Sequence, residues 1–263
     1  MTRIYTLVNQ KGGVGKTTTA INLSAYLAAF GQRVLLIDLD PQANATSSLG
    51  IDKYSVSRGT YEVLIGSEPI TPNILHNPKF KISLLPSSPA LAGAEVELIN
   101  IEKREFRMRE AIQPVLNRFD YILIDCPPSL SLLTVNGLVA ARSGVLIPVQ
   151  CEYLALEGIS QLTQTLNGIR TSLYPELKIR GVVLTMFDSR TNLSSDVVKE
   201  VKKFFPNLVF ETVIPRSVRL AEAPSYGMPI STYAPEAFAA KSYAALTREI
   251  LTQDGAILSS VTE

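Results

Sequence analysis

Three short sets of residues in this chain could do chemistry together. The first is Gln10-Lys11-Gly12-Gly13-Val14-Gly15-Lys16-Thr17-Thr18. Glycines let a backbone curl until its N–H groups point inward, and a helix N-terminus behind them adds positive dipole. Together they form a cradle for phosphate oxygens. In such a cradle the Lys16 ammonium reaches the outer phosphates of a nucleotide, and the Thr17 hydroxyl binds Mg²⁺. The second set is Asp38-Leu39-Asp40-Pro41, and the third is Asp125, which ends the run Tyr121-Ile122-Leu123-Ile124. Carboxylates at the C-terminal ends of parallel strands face the ligand crevice of such sheets. Beside a phosphate loop they supply what phosphoryl transfer needs: a seat for a metal ion and a group that orients the attacking water.

These residues work together only if strands and helices place them at one end of a sheet. Ile4-Tyr5-Thr6-Leu7-Val8 precedes the glycine loop. Ala20, Leu23, Leu27 and Phe30 follow it at helical spacing, stopped by Gly31. The runs 34–37, 82–85, 121–124, 145–147 and 182–184 are almost continuously apolar, as in strands buried on both faces. Residues 209–213 read as a further strand. Helices are expected over 105–118, 154–173, 193–205 and 236–252. Alternation of this kind predicts an α/β fold, a doubly wound and mostly parallel sheet flanked by helices. Residues 42–80 read as loops with short helices. With no repeat and no linker, residues 1–253 are expected to form one domain, and residues 254–263 to fray.

Composition narrows the class. The chain has 263 residues, 25 Lys+Arg against 24 Asp+Glu, and a net charge of +1, so it is not a globally basic nucleic-acid coat. A hydrophobic fraction of 46% with 19% charged residues excludes a disordered chain. Cys126 and Cys151 are the only cysteines and there is one histidine, which excludes a disulfide scaffold and argues against a structural zinc site. The sequence shows no secretory signal and no membrane-spanning stretch.

The form K-G-G-x-G-K-T-T departs from the common phosphate loop, with Gln10 in place of the first glycine and Lys11 added. It resembles the deviant phosphate loop of the ParA/MinD ATPases. The resemblance continues through Gln150–Gly158, Val213-Ile214-Pro215-Arg216 and Leu220–Gly227, and is nearest to the short chromosomal ParA type, often called Soj. It implies a deviant P-loop ATPase that binds ATP and Mg²⁺. Lys11, Gly12, Gly13, Val14, Gly15, Lys16, Thr17 and Thr18 would hold the phosphates, and Pro215 and Ser217 would lie near the adenine. Thr17, Asp38 and Asp125 would serve the metal, with Asp125 as the Walker B acid. Lys11 would reach across a dimer to the partner's nucleotide, and Asp40 would position or activate the attacking water. The implied cycle is an ATP-joined homodimer that binds nonspecific double-stranded DNA. It hydrolyses ATP slowly until a ParB-like partner acts, in the cytoplasm on the nucleoid.

The sequence offers basic residues for the DNA. Lys199, Lys202 and Lys203 share one face of an amphipathic helix whose apolar surface is expected from Val197, Val198, Val201 and Phe204, with Arg190 just before it. Arg216 and Arg219 lie on a Pro-bounded segment, and Lys241 and Arg248 on the last helix. Such residues would contact phosphates, giving sequence-independent, salt-sensitive binding. The alternative is a related ATPase that positions another cargo, either a protein cluster or division machinery. A membrane-cycling relative would end in a basic amphipathic helix, whereas residues 251–260 carry no basic residue. A metabolic ligase of the same fold would need a small-substrate pocket.

Overall fold

The computed structural model describes residues 1–153 and 155–256. Leu154 of the 150–158 segment, and residues 257–263 of the tail expected to fray, lie outside them. The strands are β1 (Arg3–Leu7), β2 (Val34–Asp38), β3 (Leu75–Asn77), β4 (Ile82–Leu85), β5 (Tyr121–Asp125), β6 (Gly144–Gln150) and β7 (Ile179–Thr185). They form one sheet in the order β3-β4-β2-β5-β1-β6-β7. All neighbours pair parallel except β3, which runs antiparallel along β4 at the edge.

The helices between them are α1 (Lys16–Ala29), α2 (Asn44–Ser48), α3 (Thr60–Ile65), α4 (Leu91–Glu97), α5 (Arg107–Ala111) and α6 (Leu132–Ala140). They continue with α7 (Ala155–Ser172), α8 (Asn192–Phe204), α9 (Val218–Glu222), α10 (Ile230–Tyr233) and α11 (Phe238–Gln253). Side chains alternate across a strand, and this sheet buries both sets. Tyr5, Leu7, Leu36 and Leu123 pack under α1 and α11 with Leu23, Leu27, Tyr243 and Leu246. Ile4, Leu35, Ile37 and Ile122 turn the other way, against Leu64, Leu91, Met108 and Leu133 of α3–α6. Val145, Ile147, Val182 and Leu184 meet Ile159, Leu166, Val197 and Val201 of α7 and α8.

Four expectations need correction. Residues 209–213 make no strand; Val209 forms only an isolated bridge to Val182. The stretch 105–118 is not one helix: α5 stops at Ala111, and a 3₁₀ turn over Gln113–Arg118, with Pro114 in its first turn, follows. In α8 the inward aromatic is Phe205, just past its end, while Phe204 stays exposed. The tail does not fray from Asp254. That residue accepts hydrogen bonds from the hydroxyls of Tyr5 (2.7 Å) and Tyr121 (3.0 Å), and from Arg180 Nη2 (3.0 Å). The end of α11 is thereby tied to β1, β5 and β7.

Two chain segments approach more closely than side chains allow. Gly50, just past α2, and Gly227, which ends the 3₁₀ turn Ala223–Tyr226 that follows α9, both have positive φ (82° and 64°). A Cβ on Gly227 would stand 2.7 Å from the Gly50 Cα.

Candidate functional site

The glycine loop joins β1 to α1 at the C-terminal end of the sheet. Gly15 caps α1 with φ 86°, a left-handed conformation that costs a residue with a Cβ about 1–2 kcal/mol. Gly13 is also left-handed, at φ 75°. The loop is pinned from below, where Thr185 Oγ1 at the end of β7 donates to the Val14 carbonyl at 2.8 Å. On its other flank Lys11 N–H donates to Asn9 Oδ1 at 3.0 Å.

A cavity of about 330 Å³ opens over the loop. Gly12, Gly13, Gly15, Lys16, Thr17, Thr18 and Asp40 all line it, so sequence-distant candidates do converge. Lys16 opens α1 and is only 7% exposed, and its Nζ donates to the Lys11 carbonyl at 3.2 Å. Burial holds its pKa below the usual lysine value, and Asp125 and Asp40 oppose that shift. The cavity continues past Gly15, Thr18 and Met186 into a more apolar slot of about 210 Å³. Pro215 and Ser217 stand in the slot with Ile214, Leu220 and Tyr243, at the right end of the loop for a nucleobase. Lys11 lines neither hollow, and its ammonium has no ion pair among the described residues.

Asp38 and Asp125 end neighbouring strands in register and are fully buried. Their surroundings differ. Asp38 Oδ2 accepts from both the N–H (2.8 Å) and the hydroxyl (2.7 Å) of Thr46, and Oδ1 from the Asp40 N–H at 3.2 Å. Neither Asp125 oxygen has a partner in good hydrogen-bond geometry among the described residues, although the Thr17 side chain stands near enough to lower its pKa. Burial, reinforced by Asp38, pushes the Asp125 carboxyl up to about 8; burial alone leads the rise of Asp38 to about 6.

An orphaned carboxylate with the Thr17 side chain beside it fits a cation better than it fits an empty core. The donor set is sparse, and no cluster of three or more His, Cys, Asp or Glu side chains among the described residues could hold a metal alone. That suits Mg²⁺, which keeps its waters and leans on one or two carboxylates plus substrate phosphates. Thr17 and Asp125 would be the residues to hold it, whereas the Asp38 oxygens already accept from Thr46 and Asp40. Asp40 is nearly buried, accepts from the Gln42 N–H at 2.9 Å, and faces the cavity.

Sequence reading missed Asn44, Ser48, Pro128 and Met186 in the cavity wall. The i, i+4 spacing of Asn44 and Ser48 behind Asp40 was the available signal. Met186, at φ 53°, had none.

The basic candidates are exposed but not bare. Carboxylates hold Arg190 (Asp188, 2.7 Å), Lys199 (Asp196, 3.1 Å), Lys202 (Glu211, 2.9 Å) and Lys203 (Glu200, 2.6 Å). The same is true of Arg216 (Glu152, 2.7 Å), Arg219 (Glu222, 3.0 Å) and Lys241 (Glu236, 3.1 Å). Arg248 lies over the Phe30 ring, 5.0 Å from its centroid. Arg190 and Arg216 share one cleft of about 620 Å³ with Tyr153 and Leu193; the others are spread over α8, α9 and α11. The Arg190 guanidinium pulls Asp188 down to about 2. Exposed ion pairs are worth about 0–1 kcal/mol, so a phosphate can displace these carboxylates at small cost. Among the described residues no helix is long and apolar enough to cross a membrane.

Known proteins share this arrangement. Residues 2–179 match the AAA domain family. The chain is similar to the chromosome partitioning protein ParA of Myxococcus xanthus, 52% identical over 253 residues, 96% of this chain and 89% of that protein. It is similar to the sporulation initiation inhibitor protein Soj of Bacillus subtilis, 50% identical over 250 residues, 95% of this chain and 98% of that protein. Among solved structures it resembles cobyrinic acid a,c-diamide synthase from Mycobacterium smegmatis, which holds an ATP analogue and magnesium. There the TM-score is 0.86 at 36% identity, over 97% of this chain and 96% of that one.

Proposed function

The chain belongs to the ParA/Soj family of chromosome-partitioning ATPases, and from that premise we propose that its loop site hydrolyses ATP with Mg²⁺ to switch a DNA-binding homodimer. The observation that carries the site assignment is the buried Asp125 carboxylate, without a hydrogen-bond partner among the described residues, next to Lys16 and Thr17, which themselves line the glycine-walled cavity. Backbone N–H groups of Gly12–Thr18 and the Lys16 ammonium bind the phosphates. Pro215 and Ser217 flank the base. Thr17 and Asp125 hold Mg²⁺, which supplies Lewis-acid neutralisation of the charge that develops on the phosphoryl oxygens. Asp40 orients the attacking water. Lys11, absent from its own cavity wall, is free to reach a nucleotide in a second copy. Contacts to the nucleotide from both chains would shift a monomer–dimer equilibrium.

Asp40→Ala separates chemistry from binding. The variant is expected to bind Mg-ATP but to release phosphate roughly 10²- to 10⁴-fold more slowly, the usual contribution of a positioned proton acceptor. The ATP-bound dimer then accumulates on gel filtration. Normal turnover in this variant removes Asp40 from the reaction.

For the DNA step, Arg190→Ala and Arg219→Ala are each expected to weaken duplex binding while sparing ATP-dependent dimerisation. Removing one cation from a DNA phosphate lowers the slope of log affinity against log salt by about 0.9, and by roughly twice that when both copies in a symmetric dimer are changed. Mobility-shift titrations at several salt concentrations, with and without ATP, read the slopes. Wild-type protein that dimerises yet ignores DNA at low salt would favour positioning of another cargo. A ParB-like partner that accelerates turnover, and a location on the nucleoid, complete the proposed cycle.

A further inference from the structure

Behind the two aspartates lies a closed ring of hydrogen bonds that the proposed chemistry does not use directly. Thr46 Oγ1 donates to Asp38 Oδ2 at 2.7 Å and accepts from the Ser87 N–H at 2.9 Å. Ser87 Oγ donates to the Asp40 carbonyl at 2.8 Å. The Asp40 N–H donates back to Asp38 Oδ1 at 3.2 Å. Thr60 Oγ1 bridges the same two segments, at 2.8 Å from the Asp38 carbonyl and 3.1 Å from the Pro86 carbonyl. Thr46, Thr60 and Ser87 are completely buried.

Three separate stretches therefore meet here: the end of β2, the helix α2, and the residues following β4. The Thr46 hydroxyl is the joint between them, because it uses its donor on one and its acceptor on another. Only serine or threonine can do both at this position. A buried polar ring with every member satisfied fixes one geometry, whereas a broken one leaves Asp38 and the Ser87 N–H short of partners. Asp40 is the ring member that looks into the phosphate cavity.

We infer that Thr46 is a positioning residue for ATP hydrolysis: through Asp38 and Ser87 it sets the backbone from which the Asp40 carboxylate is aimed. The inference rests on the assignment of Asp40 given above. Thr46 sits in α2, whose Asn44 and Ser48 also line the cavity, so the ring holds that wall in place as well.

The test is single-turnover phosphate release, with ADP affinity measured on the same preparations. A displacement near 1 Å at a reacting group costs on the order of 100-fold, so Thr46→Val is expected to slow phosphate release roughly 10- to 100-fold. On the same assignment ADP rests on the glycine loop rather than on Asp40, so its affinity is expected to stay within about threefold, since uniform binding is untouched. Thr46→Ser is expected to restore the rate to within about threefold. Ser87→Ala, which removes only the bond to the Asp40 carbonyl, is expected to show a smaller loss of the same kind and serves if Thr46→Val does not fold. A folded Thr46→Val with wild-type release overturns the inference. So does equal loss of rate and ADP affinity, or failure of Thr46→Ser to rescue. Asp40→Ala is run alongside: normal release there refutes the role of Asp40, while slow release there with normal release in Thr46→Val refutes only the role of Thr46.

Discussion

Lys16→Ala is expected to weaken ATP binding roughly 100-fold or more, the loss of about 3 kcal/mol from two charge-assisted hydrogen bonds. Lys16 is the one buried lysine among the described residues; it lines the cavity with Asp40 and lies near the buried Asp125 carboxyl. Without it, the Asp40 carboxylate faces an incoming triphosphate, with the buried Asp125 behind, and only the loop N–H groups offset them. Isothermal calorimetry reads the affinity, and a thermal melt of the nucleotide-free variant reports whether the fold survives. The loop geometry itself depends on the glycines and on the Thr185 bond to Val14, neither of which Lys16 supplies. A folded Lys16→Ala protein with wild-type ATP affinity would refute the assignment of the cavity.

Asp254→Ala is expected to cost about 3–5 kcal/mol of stability, the range for removing one partner of a buried ion pair. The Asp254 side chain is 4% exposed and its partner Arg180 is 14% exposed. Arg180 also lies over the rings of Tyr5 and Phe210, at 5.7 Å and 5.5 Å from their centroids. Truncation leaves that cation without its carboxylate and removes the acceptor of two tyrosine hydroxyls. Urea unfolding of the full chain measures the loss. Asp254→Asn, which keeps an acceptor but no charge, is expected to fall between wild type and Asp254→Ala. A midpoint shift within error for Asp254→Ala would mean that the end of α11 is not anchored there.

The sequence made the sheet legible where strands are buried on both faces. Runs such as Val34–Ile37 and Tyr121–Ile124 have no polar face to confuse the pattern, and they are strands. The short edge strand Leu75–Asn77 escaped because it is largely exposed and carries no apolar run. Residues 209–213 misled for the opposite reason: Val209, Phe210, Thr212 and Val213 are types that favour strands, yet Val209 finds only a single bridge to β7. In the site, residue types and spacing singled out the loop and the three aspartates as candidates, because phosphate and metal chemistry restricts such positions, and the structure brings the loop and Asp40 to one cavity. What spacing could not show was how the aspartates differ. Asp38 has its oxygens filled by Thr46 and Asp40, while those of Asp125 are open. That distinction comes from a threonine eight residues onward, whose hydroxyl in turn accepts from the N–H of a serine after another strand. The basic residues were visible as charges, but their carboxylate partners, such as Glu152 for Arg216 and Glu211 for Lys202, are distant or unremarkable in sequence.

The contact of Gly50 with Gly227 has a mechanical consequence. Where two backbones touch, no side chain lies between them to change rotamer and absorb a displacement. The segment from Asp40 to Gly50 carries the cavity wall of Asn44 and Ser48, and the segment from Pro215 to Gly227 carries the slot wall of Leu220 and Ala221. At this contact the two walls meet backbone to backbone, so neither can move toward the other without displacing it.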